Sequence, residues 1–150
     1  MTRTVARQIA VRICFSEDFL REEPEAVLEK FFAPEHYCTL ADDDEVFETL
    51  PDDRQMEYIR TLINCVYMHS EEIDGRIASF SEKRKIERIS RTALAVLRCA
   101  VCEILWFDDI PNSVTINEAV EIAKSFDSPE TVSFINGLLG SLVRSMPEDQ

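Results

Sequence analysis

Three arginines near the start of the chain, Arg3, Arg7 and Arg12, are spaced so that one helix would present them on its surface. On a helical wheel Arg3 and Arg7 lie close together, and Arg12 lies beyond an apolar pair, Val11 and Phe15, that faces away from the core. Guanidinium groups bind phosphates bidentately, and an apolar anchor beside cations is typical of partner-binding surfaces. The pattern therefore favours binding of a charged partner, although a covering helix would explain the apolar pair equally well.

Cys99 and Cys102 form a C-x-x-C pair, a spacing used elsewhere for disulfide exchange or zinc binding. The pair lies inside a helical run rather than at a helix N-terminus after a strand, which argues against a redox motif. Zinc would need two further ligands, for which Cys65 and His69 are the candidates. Packed, reduced thiols explain the five cysteines more simply, so we expect no metal and no cofactor.

Motifs of enzymes are absent from the sequence. There is no nucleotide-binding glycine loop, no nucleophile elbow and no metalloprotease helix, and neither His36 nor His69 stands near an obvious nucleophile. No residue pattern indicates a reaction. We therefore expect a protein that binds partners and does not catalyse.

The elements that must position these side chains are helices. Only three of the 150 residues are glycine, 45% are hydrophobic, and few segments alternate apolar with polar residues. This composition predicts an all-α fold of about six to seven helices in a single domain covering residues 1–150. The longest apolar runs are too short to cross a bilayer and no signal peptide is recognisable, so we expect a cytoplasmic protein without membrane contact.

Helix boundaries follow from the apolar spacing and the prolines. Helices are expected at about residues 4–19, 24–33, 52–77, 90–105, 113–126 and 129–146, with Gly75 as a kink or break in the third. Ser128 before Pro129 is a typical N-cap and first helical position. An acidic variable segment at about residues 33–51 is expected to be a loop with at most a helical turn.

Charge is distributed unevenly along the chain. The net charge is −13, yet residues 1–14 contain three arginines and no acid, whereas residues 17–57 contain fifteen acids and only three basic residues. A negative field repels phosphates at long range. Any nucleic-acid site must therefore be local, and the arginines at the start of the chain are its best candidates.

The segment Ser113–Phe126, SVTINEAVEIAKSF, combines an amphipathic helix with a polar Asn-Glu pair. It follows AVLRCAVCEIL at residues 95–105 and precedes VSFINGLL at residues 132–139. In this order the three segments resemble the C-terminal half of the NusB family of transcription antitermination factors, helical RNA-binding proteins that work with the ribosomal protein NusE. The resemblance covers nearly the full chain, is poor between Leu20 and Pro51, and implies a pair of three-helix bundles.

The resemblance also implies site residues. Arg3 and Arg7 align with arginines that contact the boxA element of nascent RNA, and Phe126 and Phe134 match aromatic positions on which unpaired bases stack, although core packing would explain both phenylalanines. Phe15 matches an aromatic position at which the family meets NusE. Four polar residues of the family pattern are assigned to structure, with carboxylates pairing a partly buried arginine: Arg98, Glu103, Asn117 and Glu118.

The resemblance thus implies an antitermination factor that binds boxA-like single-stranded RNA with NusE and acts on elongating RNA polymerase in ribosomal RNA transcription. Three arginines at a single strand predict a salt slope of about −2. The alternative is a divergent protein-binding adaptor with little RNA affinity, since Thr4 and Val5 replace basic residues and Ala93 replaces an acid. A homodimer formed through Val11 and Phe15 is a third interpretation.

Overall fold

The computed structural model describes residues 1–16, 19–81 and 86–147, and these residues form helices joined by short connections. The predicted all-α fold is confirmed, with eight α-helices and two 3-10 helices in the described part of the chain. None of these helices is long and apolar enough to cross a membrane. The α-helices are α1 (Arg3–Phe15), α2 (Pro24–Phe31), α3 (Pro34–Leu40), α4 (Asp53–Met68), α5 (Ser70–Phe80), α6 (Arg91–Trp106), α7 (Asn112–Lys124) and α8 (Pro129–Ser145), and the 3-10 helices are Glu45–Phe47 and Ile86–Arg88.

The chain divides into two compact units, Met1–Met68 and His69–Gln150. In the first unit α1 packs against α4 and α2 packs against both. In the second unit α6 packs against α5, α7 and α8, and α8 also contacts α5 and α7. Each unit has its own apolar core of fully buried side chains, which include Ile9, Ile13, Ile59, Leu62 and Ile63 in the first and Ile73, Ile77, Leu97, Ile135, Leu139 and Leu142 in the second.

Side-chain hydroxyls start three of the helices. The Thr2 hydroxyl accepts a hydrogen bond from the Val5 amide, and the Ser90 hydroxyl accepts one from the Ala93 amide at 3.1 Å. The predicted cap at Ser128 is confirmed, because its hydroxyl accepts from the Thr131 amide and Pro129 occupies the first turn of α8. Each cap satisfies an amide that has no partner inside its own helix.

The expected break at Gly75 is wrong. Gly75 lies inside α5, where a glycine is tolerated at a cost of about 1 kcal/mol. The long helical pattern is divided instead at His69, whose φ of −108° and ψ of 21° leave the helical region. The apolar spacing continues through this residue, so periodicity alone could not locate the break.

The acidic segment at residues 33–51 is more regular than expected, because it contains the helix α3 and a 3-10 helix. An aromatic cluster holds both, with the Tyr37 ring centroid 6.1 Å from that of Phe31 and 5.9 Å from that of Phe47. The Tyr37 hydroxyl donates to the Thr49 carbonyl oxygen at 2.9 Å. These contacts, between residues six to twelve apart in the chain, order a stretch whose own composition favours solvent.

The predicted structural role of Arg98 and Glu103 agrees with their contacts inside the second unit. Arg98 donates from Nε and Nη2 to the two carboxylate oxygens of Asp74, both at 2.9 Å, and so joins α6 to α5. Glu103 is 2% exposed and accepts from the Thr115 hydroxyl at 3.0 Å, which joins α6 to α7. Of the other two residues, Glu118 is half-buried, whereas Asn117 is exposed and burial gives it no structural role.

Replacing Thr115 by valine is expected to lower the free energy of unfolding by about 1–3 kcal/mol, because the buried Glu103 carboxyl group loses a donor without gaining water. Urea denaturation followed by circular dichroism measures this change. Ser113→Ala, at an exposed position of the same helix, is the matched control and should change the value by less than about 0.5 kcal/mol. Equal effects of the two variants would contradict the role of the hydrogen bond.

Candidate nucleic-acid interface

The three arginines of α1 differ in exposure. Arg12 is exposed, Arg3 is half-buried, and Arg7 is only 7% exposed. The wheel placed Arg3 and Arg7 close together, and the structure does bring them together, but on a surface that α4 partly covers. Arg12 is therefore accessible to a ligand, whereas the Arg7 side chain is largely covered.

Two residues of α4, Gln55 and Tyr58, contact the first arginines of α1. Arg3 Nε donates to the side-chain oxygen of Gln55 at 2.8 Å, and the Arg3 guanidinium carbon lies 4.1 Å from the centre of the Tyr58 ring. The guanidinium carbon of Arg7 lies 5.7 Å from the same ring. Both distances are within the range of cation–π attraction. Gln55 and Tyr58 are themselves buried, at 8% and 5% exposure, so the packing around them restricts their movement.

The charge of Arg3 stays available to a ligand. Its two contacts are with a neutral amide and a neutral ring, and within residues 1–16, 19–81 and 86–147 no carboxylate pairs with it. Gln55 and Tyr58 could not be linked to Arg3 from the sequence, because they lie more than 50 residues further along the chain. Their spacing of three on one helix face is the only signal, and it is a weak one.

The prediction that Val11 faces outward is wrong. Val11 is 5% exposed, whereas Phe15 is half-buried. The reason is that α1 is contacted by α2, by α4 and by the 3-10 helix Glu45–Phe47, so more of its circumference is covered than one apolar stripe implies. Of the predicted apolar pair, only Phe15 keeps surface that a partner could contact.

The second unit presents an aromatic ring. Phe126 follows the end of α7 and is 56% exposed, so the alternative that it belongs to the core is wrong. Phe134, on α8, is half-buried. The exposed ring of Phe126 has the form of a stacking platform for an unpaired base.

The connection after Phe126 is acidic. Asp127 accepts a long hydrogen bond of 3.5 Å from the Ser90 hydroxyl through Oδ1, and its Oδ2 is buried without a hydrogen-bond partner in the described chain. The preceding cation, Lys124, is paired with Glu121 at 2.9 Å. The Phe126 ring is therefore followed by a carboxylate, and the lysine that precedes it is already paired.

Metal or redox chemistry gains no support from the described residues. No three histidine, cysteine or acidic side chains among them are grouped so that they could hold a metal ion. Cys14, Cys38 and Cys99 are thiols.

Residues 4–144 match the model of the NusB family. The transcription antitermination protein NusB of Acetivibrio thermocellus is 38% identical over 96% of this chain and 90% of its own. The structure of NusB from T. maritima superposes with a TM-score of 0.78 at 30% identity, covering 97% of this chain and 92% of that one. A crystal structure of the antitermination factors NusB and NusE in complex with dsRNA shares the fold, with a TM-score of 0.75 at 19% identity over 96% and 97% of the two chains.

Replacing Arg7 by alanine is expected to lower the free energy of unfolding by roughly 1–3 kcal/mol, since this buried side chain packs on the first unit. Arg12→Ala removes the same charge from an exposed position and should change it by less than about 0.5 kcal/mol. Thermal and urea denaturation of both variants measure the difference. If Arg7→Ala left the free energy of unfolding unchanged, this arginine would be more solvated than its burial indicates.

Proposed function

Because the chain belongs to the NusB family, whose members are transcription antitermination proteins, we propose that it binds boxA-like single-stranded RNA together with the ribosomal protein NusE. In this proposal the assembly acts on elongating RNA polymerase during ribosomal RNA transcription, in the cytoplasm. The role is binding and delivery rather than catalysis. The observation that carries the RNA part is the Arg3 guanidinium, which lies on a neutral ring and amide instead of a carboxylate.

The first unit supplies the phosphate contacts in this proposal. Arg12 is exposed, and Arg3 is half-buried with its charge uncompensated, whereas the burial of Arg7 removes it from direct contact. Two contacts instead of three reduce the expected salt slope from about −2 to about −1.4. A weak electrostatic contribution agrees with the net charge of −13, which opposes non-specific binding of RNA.

The second unit supplies base stacking. Single-stranded RNA offers unpaired bases, and stacking on an aromatic ring contributes about 1–3 kcal/mol per base. Phe126 has the exposure that this requires, and Phe134 has less. An RNA that is double-stranded would hide its base faces, so the proposal is specific to single strands.

NusE is the proposed protein partner, and its contact is assigned to the exposed part of Phe15. The support is a structure of the same fold that contains NusE and dsRNA, together with the half-buried aromatic side chain at the end of α1. An aromatic anchor of this kind is typical of interface centres. A homodimer through the same residue is the competing use of this surface, and light scattering of Phe15→Ala at several concentrations separates the two.

A protein-binding adaptor with little RNA affinity is the second candidate. It is favoured by the burial of Arg7 and by Thr4 and Val5, which add no charge beside Arg3. The adaptor keeps the helical units and the Phe15 contact. It differs from the first proposal in one observable, which is the affinity for boxA-like RNA.

Fluorescence anisotropy of a labelled boxA-like RNA, with a scrambled RNA as control, tests the proposal. We expect sequence-selective binding that tightens when NusE is added. Arg12→Ala should weaken binding and make the salt slope shallower by about 0.7. Arg60→Ala is the matched control, because it removes a charge from the same unit where Glu25 already pairs it, at 3.2 Å. Folded protein that binds neither RNA in either mixture would favour the adaptor.

Phe126→Ala is expected to weaken RNA binding by about 5- to 150-fold, the equivalent of one lost stacking contact. Because the ring is 56% exposed, the melting temperature should stay nearly constant. Val114→Ala, which also removes exposed apolar surface from the second unit, is the control and should bind as the wild type does. An unchanged affinity of Phe126→Ala would exclude this ring from the RNA site.

A further inference from the structure

Resting on the proposed RNA-binding function, we propose that Gln55 and Tyr58 are positioning residues that hold Arg3 as a preset fork for one phosphate group. Neither residue contacts RNA in this proposal. Both act through the guanidinium, whose orientation they determine from α4. Arg3 then binds as a rigid, directional donor and not as a mobile charge.

The geometry of the three side chains leads to this inference. The Gln55 oxygen takes the Nε hydrogen at 2.8 Å, and the Tyr58 ring faces the guanidinium at 4.1 Å. These two contacts restrict the plane of the group and its rotation within that plane. The terminal nitrogens, Nη1 and Nη2, have no partner in the described part of the chain, and a phosphate accepts two parallel hydrogen bonds from such a pair.

Other arginines of the chain show that the arrangement is selective. Arg98 donates two hydrogen bonds to the carboxylate of Asp74, so its fork is occupied and its charge is neutralised. Arg60 lies against the carboxylate of Glu25. Arg3 also has two contacts, but both are with groups without charge, and this is the combination that a phosphate site requires.

Holding the side chain in advance has an energetic consequence. A free arginine loses much rotamer freedom when it binds a ligand, and an arginine that is already fixed loses less. Because Gln55 and Tyr58 are buried, Arg3 loses its rotamer freedom when the first unit folds and not when a ligand binds. The guanidinium carbon of Arg7 lies 5.7 Å from the same ring, so Tyr58 contacts both arginines.

Lysine cannot replace Arg3 in this role, because it has neither the Nε donor nor a planar face for the ring. We therefore expect Arg3→Lys to weaken binding of boxA-like RNA nearly as much as Arg3→Ala does, although lysine keeps the charge. Gln55→Leu keeps the charge and most of the volume, and should weaken binding roughly three- to tenfold. Binding by Arg3→Lys at wild-type affinity would overturn the inference.

A double-mutant cycle separates positioning from general damage to the fold. Gln55→Leu should have an effect below about twofold when Arg3 is already alanine, since the residue it positions is then missing. If Gln55→Leu weakens binding equally in both backgrounds, the residue acts by stabilising the unit and the inference is overturned. Melting temperatures of all variants are compared with that of the wild type.

Nuclear magnetic resonance of the arginine Nε–H groups provides a readout that needs no RNA. The Arg3 signal, identified by its loss in Arg3→Ala, should be shifted by the Tyr58 ring and protected from exchange with water. In Gln55→Leu it should move toward the position of a free arginine, and an unshifted, rapidly exchanging signal in the wild type would overturn the inference. Failure of wild-type protein to bind RNA, with a protected signal, would instead overturn the proposed function and the phosphate role that rests on it.

Discussion

The packing of α1 against α4 determines what the first unit can offer to a ligand. Fully buried isoleucines on both helices, Ile9 and Ile13 on α1 and Ile59 and Ile63 on α4, anchor the two helices in one core. Their burial is the main favourable contribution to this contact, since buried apolar area dominates folding free energy. With the helix face thus set, Arg12 is exposed to solvent while Arg3 and Arg7 lie over Tyr58.

The second unit is organised around α6, which contacts α5, α7 and α8 and is buried over most of its length. A helix with so many apolar neighbours can slide or rotate unless polar contacts specify one arrangement. The Arg98–Asp74 pair and the Glu103–Thr115 hydrogen bond provide two such contacts, to α5 and to α7. If either contact were broken, a partly or fully buried polar group would lose its partner. Packings in which the helices are misaligned are therefore disfavoured.

The sequence predicted the class of the fold, the N-cap at Ser128 and the structural pairing of Arg98, because all three depend on local spacing or on residue types that require a partner. It did not predict the break at His69 or the helix α3, whose causes are a backbone conformation and an aromatic cluster formed over a distance. The prediction that Val11 is exposed was wrong for a related reason, since a helical wheel describes one helix and not the helices that pack around it. Gln55 and Tyr58 were missed because only the folded chain brings α4 to Arg3.

The concentration of acids in residues 17–57 means that salt acts on this protein in two opposite directions. Carboxylates so frequent along one segment of the chain repel one another, and the aromatic cluster of Phe31, Tyr37 and Phe47 holds part of that segment against the repulsion. Dissolved ions screen the repulsion and favour the folded first unit, while the same ions compete with Arg3 and Arg12 for phosphate. For the proposed RNA site, the ionic strength that favours folding of the unit is therefore higher than the one that favours phosphate binding.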